Sequence, residues 1–414
     1  HRCRGRRLRS ARGAATGVIA VACHQVRTGR FGAVDEWPLC SVRARRHAVA
    51  SADQVATRAG DRMFDLGGNA VDAAIATNAA IAVTGPHLCG MGGDLFALVH
   101  VDGEVRALNA SGRAGSGVDA GALRAAGHST VPLRHEPQAV TVPGCVDGWI
   151  ALHERYGSLS LGELLAPAID LAEHGFAASP LLVAALGTLD DAGRGALAEL
   201  AGAAVAPGAA VRRPGVGRAL RAVVEHGRDG FYGGEFGSGL LTLGDDLFTA
   251  SDLATGCAEW VAPLTATAFG VDLHTIGPNS QGYLTLGGAG IADHLDLPDP
   301  DDEQWAHLLI ECAVVAGFDR NDVLSDRADG RELLRRIAGR ADLVDPERCS
   351  HLVAPSGQGD TTYLCTAPLD GPGGPMGVSL IQSNASGFGS WIVEPNTRIN
   401  LHDRGLGFSL QEGH

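Results

Sequence analysis

The chain contains no lysine: all 33 of its basic residues are arginine. A lysine Schiff base, a phosphate-loop lysine and a Ser-Lys dyad are therefore excluded. The enrichment in Ala, Gly, Arg, Val and Asp is that of a high-GC coding sequence, which accounts for the missing lysine without a functional reason. No apolar run approaches the roughly 18 residues that a membrane helix needs. The nearest thing to a signal peptide, Gly17 to Cys23, is at or below the short end of an apolar export core, and no clear cleavage site follows it. The reading is a soluble chain with no membrane partner. The absence of a signal peptide favours the cytoplasm. The nine cysteines are odd in number and include no C-x-x-C pair. That argues against a disulfide framework or a structural zinc site and fits scattered, mostly reduced thiols.

What is present is a large apolar fraction. Hydrophobic residues are 45% and charged residues 19% of 414, which excludes a disordered chain and supplies a sizeable core. The length suggests two to three domains or one large enzyme fold. Glycine, at 58 residues, is about twice its usual share of roughly 7% and has no collagen period, so it belongs to turns and close backbone approaches. The net charge of −14 conceals an asymmetry: residues 1–47 carry +9 and the rest −23. The acidic body gives no support for nucleic-acid binding. Residues 1–46 have no helical or strand period and read as a basic leader, disordered or non-native.

Ordered sequence is expected from His47. A short strand precedes a helix over Val55 to Leu66, stopped by Gly67-Gly68. Asn69 then caps a buried, small-residue helix from Ala70 to about Val83. Two alternating runs around Asp102-Gly103 predict a hairpin. Residues 142–173 read as helical with Pro167 at a helix start, residues 262–289 as strands, and Glu303 to Phe318 as an amphipathic helix. Residues 331–349 give another helix. Towards the end, Thr361 to Thr366, MGVSLIQSN and GFGSWIV predict three strands, with a turn at 370–374 between the first two.

Chemistry has few candidate places. Thr361 stands where a Gly/Ser/Pro loop becomes a strand, and a threonine there is usually only a good strand residue. The chemical alternative is specific. Were the Asp360–Thr361 bond cut, Thr361 would offer a hydroxyl nucleophile and its own α-amine as base. That amine has a reference pKa of about 7.7–8.0. This needs neither lysine, metal nor cofactor. The glycine-rich stretches near 85–93 and 384–390 lack the strand–GxGxxG–helix context of phosphate loops and read as tight turns lining a cleft. Asp72 reads as a hydrogen-bonded structural acid, His87 as a loop contact, and Tyr363 and Phe388 as strand packing. His307 and Glu311 lie four apart on one helix face, a spacing a metal can use. With no third ligand evident they read as core and surface packing.

Eight segments in order resemble the γ-glutamyltransferase (glutathione hydrolase) family of N-terminal-nucleophile hydrolases. They are GGNAVDAAIATNAA at 67–80, GPHLCGMGGDLFALV at 85–99, TVPGCVDGWIALHERYGSLSLGELLAPAIDLAEHGFAASP at 141–180, FYGGE at 231–235, PNSQGYLTL at 278–286, HLLIECAVVAGFDRNDVLSD at 307–326, GDTTYL at 359–364 and SLIQSNASGFGS at 379–390. The resemblance covers residue 47 to the end.

The resemblance implies an α+β fold, a four-layer αββα sandwich, and self-cleavage between Asp360 and Thr361. Residues 47–360 would form the large subunit and 361–414 the start of a small subunit in the same domain. Thr361 would attack a γ-glutamyl amide and pass the acyl group to water, an amino acid or a peptide. Ser383 falls where the family has a hydroxyl near the nucleophile. Asn384 lies in the family's asparagine-containing stretch, one place early. Arg113 is the best match to the arginine that binds the substrate carboxylate, a role that suits its guanidinium fork. No cofactor or metal is implied, and the family's frequent export leaves a periplasmic or secreted location open.

Two departures bear on substrate. Where the family grips the substrate ammonium with paired acids before a Phe, this chain has His402-Asp403-Arg404-Gly405-Leu406-Gly407-Phe408. Gly407 replaces an expected carboxylate and Arg404 a polar amide or acid, which leaves Asp403 as the available anion. That opens the alternative of a glutaryl or cephalosporin-type acylase. The family also continues beyond the 54 residues from Thr361 to His414, into a Ser-Gly-Gly segment that supplies the oxyanion hole. The expectation is a C-terminally truncated chain, with an inactive homologue as a further alternative.

Overall fold

The computed structural model describes residues 46–354, 359–368 and 375–412. The expected basic leader, save Arg46, and the turn at 370–374 lie outside them. Strand β1 (His47–Ser51) leads into α1 (Gln54–Asp65) and α2 (Ala70–Thr84). Asp53 starts α1 by accepting from the backbone N–H groups of Val55 and Ala56. Asn69 and Asp72 start α2 with a reciprocal capping box. Asp72 also accepts from Ser158 N at 3.0 Å, the structural role expected of it. Every residue of α2 is buried, as an all-round apolar helix must be. Its small side chains let α1 approach so closely that a Cβ on Gly60 would collide with Thr77.

The hairpin β2 (Leu95–Val101) and β3 (Glu104–Ala110) turns at Asp102-Gly103, as expected. A two-residue pair follows, β4 (Arg113–Ala114) with β5 (Thr141–Val142). Next come α3 (Cys145–Tyr156), α4 (Leu161–His174), α5 (Pro214–His226) and β6 (Glu259–Val261). Then come hairpin strands β7 (Leu264–Ala268) and β8 (Val271–Thr275), and helices α6 (Gly282–Asp293), α7 (Glu303–Gly317) and α8 (Gly330–Ala338). The last two strands are β9 (Gly359–Pro368) and β10 (Met376–Ser386).

Six strands form one antiparallel sheet in the order β1-β9-β10-β2-β3-β6. The period-two alternation of β9 and β10 sorts their side chains onto two faces. Thr362, Leu364, Thr366, Val378 and Leu380 are buried, and α2 packs against these strands, with Thr366 donating to the Ala70 carbonyl at 2.6 Å. Thr361, Tyr363 and Ile381 lie exposed on the other face. Phe388 is buried as expected, whereas Tyr363 is 50% exposed, with its hydroxyl 3.4 Å from Ser379 Oγ. Helix α2 thus covers one face of this sheet. A second, smaller core gathers Leu264, Tyr283, Leu286, Leu308, Val315 and Ile337 from β7, α6, α7 and α8.

Four local expectations change, the first being the helix over 331–349, which ends at Ala338 and is followed by a 3-10 turn at Ala341–Leu343. The 142–173 stretch is two helices, and Pro167 lies inside α4 rather than at its start. The start is set by a Ser160–Glu163 capping box. The end of the PNSQGYLTL segment is helical, because α6 begins at Gly282. GFGSWIV forms no third strand: Phe388 and Trp391 both adopt positive φ, which breaks the extended path, and Val393 makes a single bridge to Asn400.

Candidate active site

Thr361 and Ser383 face each other across the β9–β10 ladder. The next pair is Gly359 with Ser386, so β10 holds one residue more than β9 beside Asp360. Ala385, at φ +74°, absorbs this bulge. A bulge bends a strand and redirects its side chains. Here it brings the Thr361 and Ser383 hydroxyl oxygens to 3.0 Å. Ser383 Oγ also lies 2.9 Å from the Asp360 carbonyl oxygen and accepts from Ala385 N at 2.9 Å. A carbonyl oxygen can only accept, so the single Ser383 proton points to Asp360. Thr361 therefore donates to Ser383. The hydroxyl relay ends on the carbonyl of the peptide bond that precedes Thr361.

Ser383 is held from below by the loop over residues 85–94. Its N–H donates to Asp94 Oδ1 at 2.9 Å, and Asp94 N donates back to the Ser383 carbonyl at 3.0 Å. Asp94 is fully buried and ion-paired with Arg404. Burial pushes its carboxyl above the usual carboxylate range, and Arg404 and the Ser383 N–H pull it back. The loop's glycines serve close approach: a Cβ on Gly93 would strike the Ser383 carbonyl, and one on Gly92 the Asn400 carbonyl. Gln382 Nε2 donates to the Gly90 carbonyl at 2.6 Å. Asn384 donates its backbone N–H to Leu88 at 3.0 Å and its side-chain amide to Pro86 at 3.0 Å. Its buried Oδ1 has no partner among the described residues. The stretch reads as tight turns, as expected, and lies against the Ser383 strand.

The 402–404 segment closes the network. Asp403 is fully buried; its carboxylate accepts from Ser386 N at 2.9 Å and Ser386 Oγ at 2.7 Å, with Arg134 at 3.6 Å. Burial raises its pKa, and Ser386 and Arg134 oppose the rise. Arg134 lies 4.6 Å over the Trp391 ring. His402 is fully buried and lies 3.1 Å from the Thr141 carbonyl, and burial, reinforced by Arg404, holds its pKa down to about 3. His87, also buried in this loop, is pushed down to about 4 by desolvation.

Of the residues picked from sequence, Thr361, Ser383, Asn384, Asp403 and Arg404 come together with Asp360. Arg113 does not join their hydrogen bonds. Its guanidinium reaches the Gly256 carbonyl and lies 3.5 Å from Glu259 Oε1. Sequence reading missed Asp94, Arg134 and Ser386. Asp94 follows two glycines and opens a strand, which is a local hint, but Arg404 is 310 residues away and gives none. Among the described residues the cysteines are all free, and no helix is long and apolar enough to cross a membrane.

A strand-borne threonine with a facing hydroxyl, on a sheet backed by helices, is compatible with the N-terminal-nucleophile class of amide-cleaving enzymes. The Gamma-glutamyltranspeptidase family matches residues 56–414, and the chain belongs to that family. It is 33% identical to the glutathione hydrolase-like YwrD proenzyme of Bacillus subtilis, over 90% of this chain and 73% of that protein. It is 34% identical to the oxamate amidohydrolase proenzyme of Klebsiella pneumoniae, over 84% of this chain and 69% of that protein. A cephalosporin acylase from Bacillus halodurans superposes with a TM-score of 0.80 at 32% identity, covering 93% of this chain and 75% of that one. The fold is the α+β fold of this hydrolase class. Family members are hydrolases and acyltransferases, made as proenzymes that are cleaved into subunits, and they act on small molecules.

Proposed function

We propose that Thr361 is the nucleophile of an autoprocessing amidohydrolase and acyltransferase. It first opens the Asp360–Thr361 bond, and the mature enzyme then cleaves γ-glutamyl amides of the glutathione type. The observation that carries this reading is the Thr361–Ser383–Asp360 relay. Thr361 Oγ1 attacks the Asp360 carbonyl carbon, and Ser383, 2.9 Å from that oxygen, donates to it as charge develops. The C–N bond breaks, the Thr361 nitrogen takes up a proton and an Asp360 ester remains. Water hydrolyses the ester, leaving a large subunit that ends at Asp360 and a small one that begins at Thr361. The freed α-amine is then the base for Thr361 Oγ1 in turnover. Its reference pKa of about 7.7–8.0 makes kcat/KM rise through neutral pH. The acyl-enzyme passes its acyl group to water, an amino acid or a peptide. Arg113, Asn384, Asp403 and Arg404 are the proposed substrate-binding residues.

One observation favours a second reading, an acylase for glutaryl or cephalosporin-type side chains. The substrate ammonium of a γ-glutamyl group needs an anion. Asp403 is already bonded to Ser386 and faced by Arg134, Asp94 is paired with Arg404, and position 407 is glycine. A glutaryl group carries no ammonium and makes no such demand. Comparing γ-glutamyl-anilide with glutaryl-anilide on cleaved enzyme separates the two. Preference for the γ-glutamyl donor supports the first reading and removes the second. Preference for glutaryl does the reverse, and turnover of neither contradicts both.

A further inference from the structure

Helix α7 belongs to the second core and takes no part in the hydrogen-bond network around Thr361. It carries His307 and Glu311 one turn apart, and the chain after α8 folds back to place Cys349 beside them. A His307 ring nitrogen, a Glu311 carboxylate oxygen and Cys349 Sγ lie within 4.8 Å of one another. We propose that these three side chains bind a zinc ion.

The donor set selects the metal. One nitrogen, one oxygen and one sulfur suit a borderline-soft dication such as zinc and not magnesium or calcium, which take oxygen ligands. Ligands on a tetrahedral zinc stand about 3.3–3.8 Å apart, given bond lengths of about 2.0–2.3 Å. Small side-chain rotations close the remaining gap, and Cys349, which is exposed, is free to make them. A water would fill the fourth position.

Three features around the cluster point to a cation. His307 Nε2 is 3.0 Å from the Asp345 carbonyl oxygen, so that nitrogen carries the ring proton and Nδ1 keeps its lone pair. A second ring nitrogen donating to a backbone carbonyl is the usual support of a metal-bound imidazole. Glu311 is only 4% exposed, and its Oε2 accepts from Ser350 N at 3.0 Å. Among the described residues no arginine or histidine forms an ion pair with it. A buried carboxylate without a cation is costly, and a bound dication removes that cost. The Ser350 hydroxyl oxygen, next in sequence to Cys349, is buried without a hydrogen-bond partner among the described residues. It is available to a metal-bound water. From sequence the pair lacked a third ligand because Cys349 lies 38 residues beyond Glu311. The ion would fasten the segment carrying Cys349, which stands 12 residues before Thr361, onto α7.

The test uses the whole reduced protein, stripped with a chelator and then titrated with zinc and, separately, cobalt(II). The expected result is one ion per chain and a thiolate-to-cobalt charge-transfer band with the visible bands of a tetrahedral centre. Cys349→Ser should abolish the charge-transfer band and weaken zinc binding at least about tenfold, because even supporting residues are worth about 10–100-fold. Glu311→Gln keeps an acceptor for the Ser350 N–H. It should weaken zinc similarly while its melting temperature in chelator stays that of the unmodified protein. No stoichiometric uptake by the unmodified protein overturns the proposal. So does a cobalt band and zinc affinity that survive Cys349→Ser, since the ligand would then be another thiol.

Discussion

The Thr361 and Ser383 hydroxyls stand 3.0 Å apart as a facing pair, and the bulge at Ala385 turns Ser383 towards the Asp360 carbonyl. Because the single Ser383 proton can serve only one of its two contacts and the carbonyl can only accept, the direction of the relay is fixed. Thr361 gives to Ser383, and Ser383 gives to the bond that would be cut.

Replacing the nucleophile is the simplest consequence. Thr361→Ala should leave the Asp360–Thr361 bond whole and eliminate amide turnover, while Thr361→Ser should keep both at reduced rates. Time-resolved intact-mass analysis of the two variants checks this.

Ser383 is expected to act on the rate of cleavage. Ser383→Ala removes the donor to the Asp360 carbonyl and should slow cleavage by about 10²–10³-fold, the range for a lost oxyanion donor. Ser383→Thr keeps a hydroxyl and should recover most of the rate. If Ser383→Ala cleaved at the normal rate, the relay would have no chemical part.

The Asp94–Arg404 pair should be felt as stability. Arg404→Gln leaves a fully buried carboxylate without its cation, which costs about 3–5 kcal/mol. Asp94→Asn combined with Arg404→Gln should cost less than the sum of the two single changes. Urea unfolding of the three variants gives the coupling.

Gly93 tests the contact between the loop and the Ser383 strand. A Cβ there collides with the Ser383 carbonyl, so Gly93→Ala should displace the strand and slow cleavage. Gly103→Ala is the control, because a Cβ on Gly103 meets nothing. It should lower stability through its positive φ and leave the cleavage rate of the folded protein unchanged.

The buried histidines set a pH dependence. In the unfolded chain His87 and His402 take up protons near 6.5, but in the fold only near about 4 and about 3. Between about 6.5 and 4 the unfolded state binds more protons, so stability falls as the pH falls. The slope is about 1.4 kcal/mol per pH unit for each histidine. Unfolding free energies at pH 7 and pH 5 check the sign, and His402→Gln should flatten the slope.

Much of this was legible in sequence where the signal was local. The caps at Asn69, the turn at Asp102-Gly103 and the small-residue helix α2 follow from spacing alone. Thr361, Ser383, Asn384 and Asp403 were picked from motifs that resemble the family's, and the structure brings them together. What escaped was long-range. The Asp94–Arg404 pair, the Arg134 contact to Asp403 and the arrival of Cys349 beside Glu311 depend on chain folding that no local pattern encodes. The helix from Gly282 was misread because its threonine and aromatic residues suit strands, and packing of Tyr283 and Leu286 in the second core decided otherwise. Arg113 was assigned by motif, and its contacts in the structure run to Gly256 and Glu259.

The most direct measurement is the intact mass of protein produced from its complete gene, purified and incubated at neutral pH, with N-terminal sequencing of any fragment. The account predicts a break after Asp360 and a new chain that begins with Thr361. A protein that remains in one piece, or one cut at another bond, would contradict it.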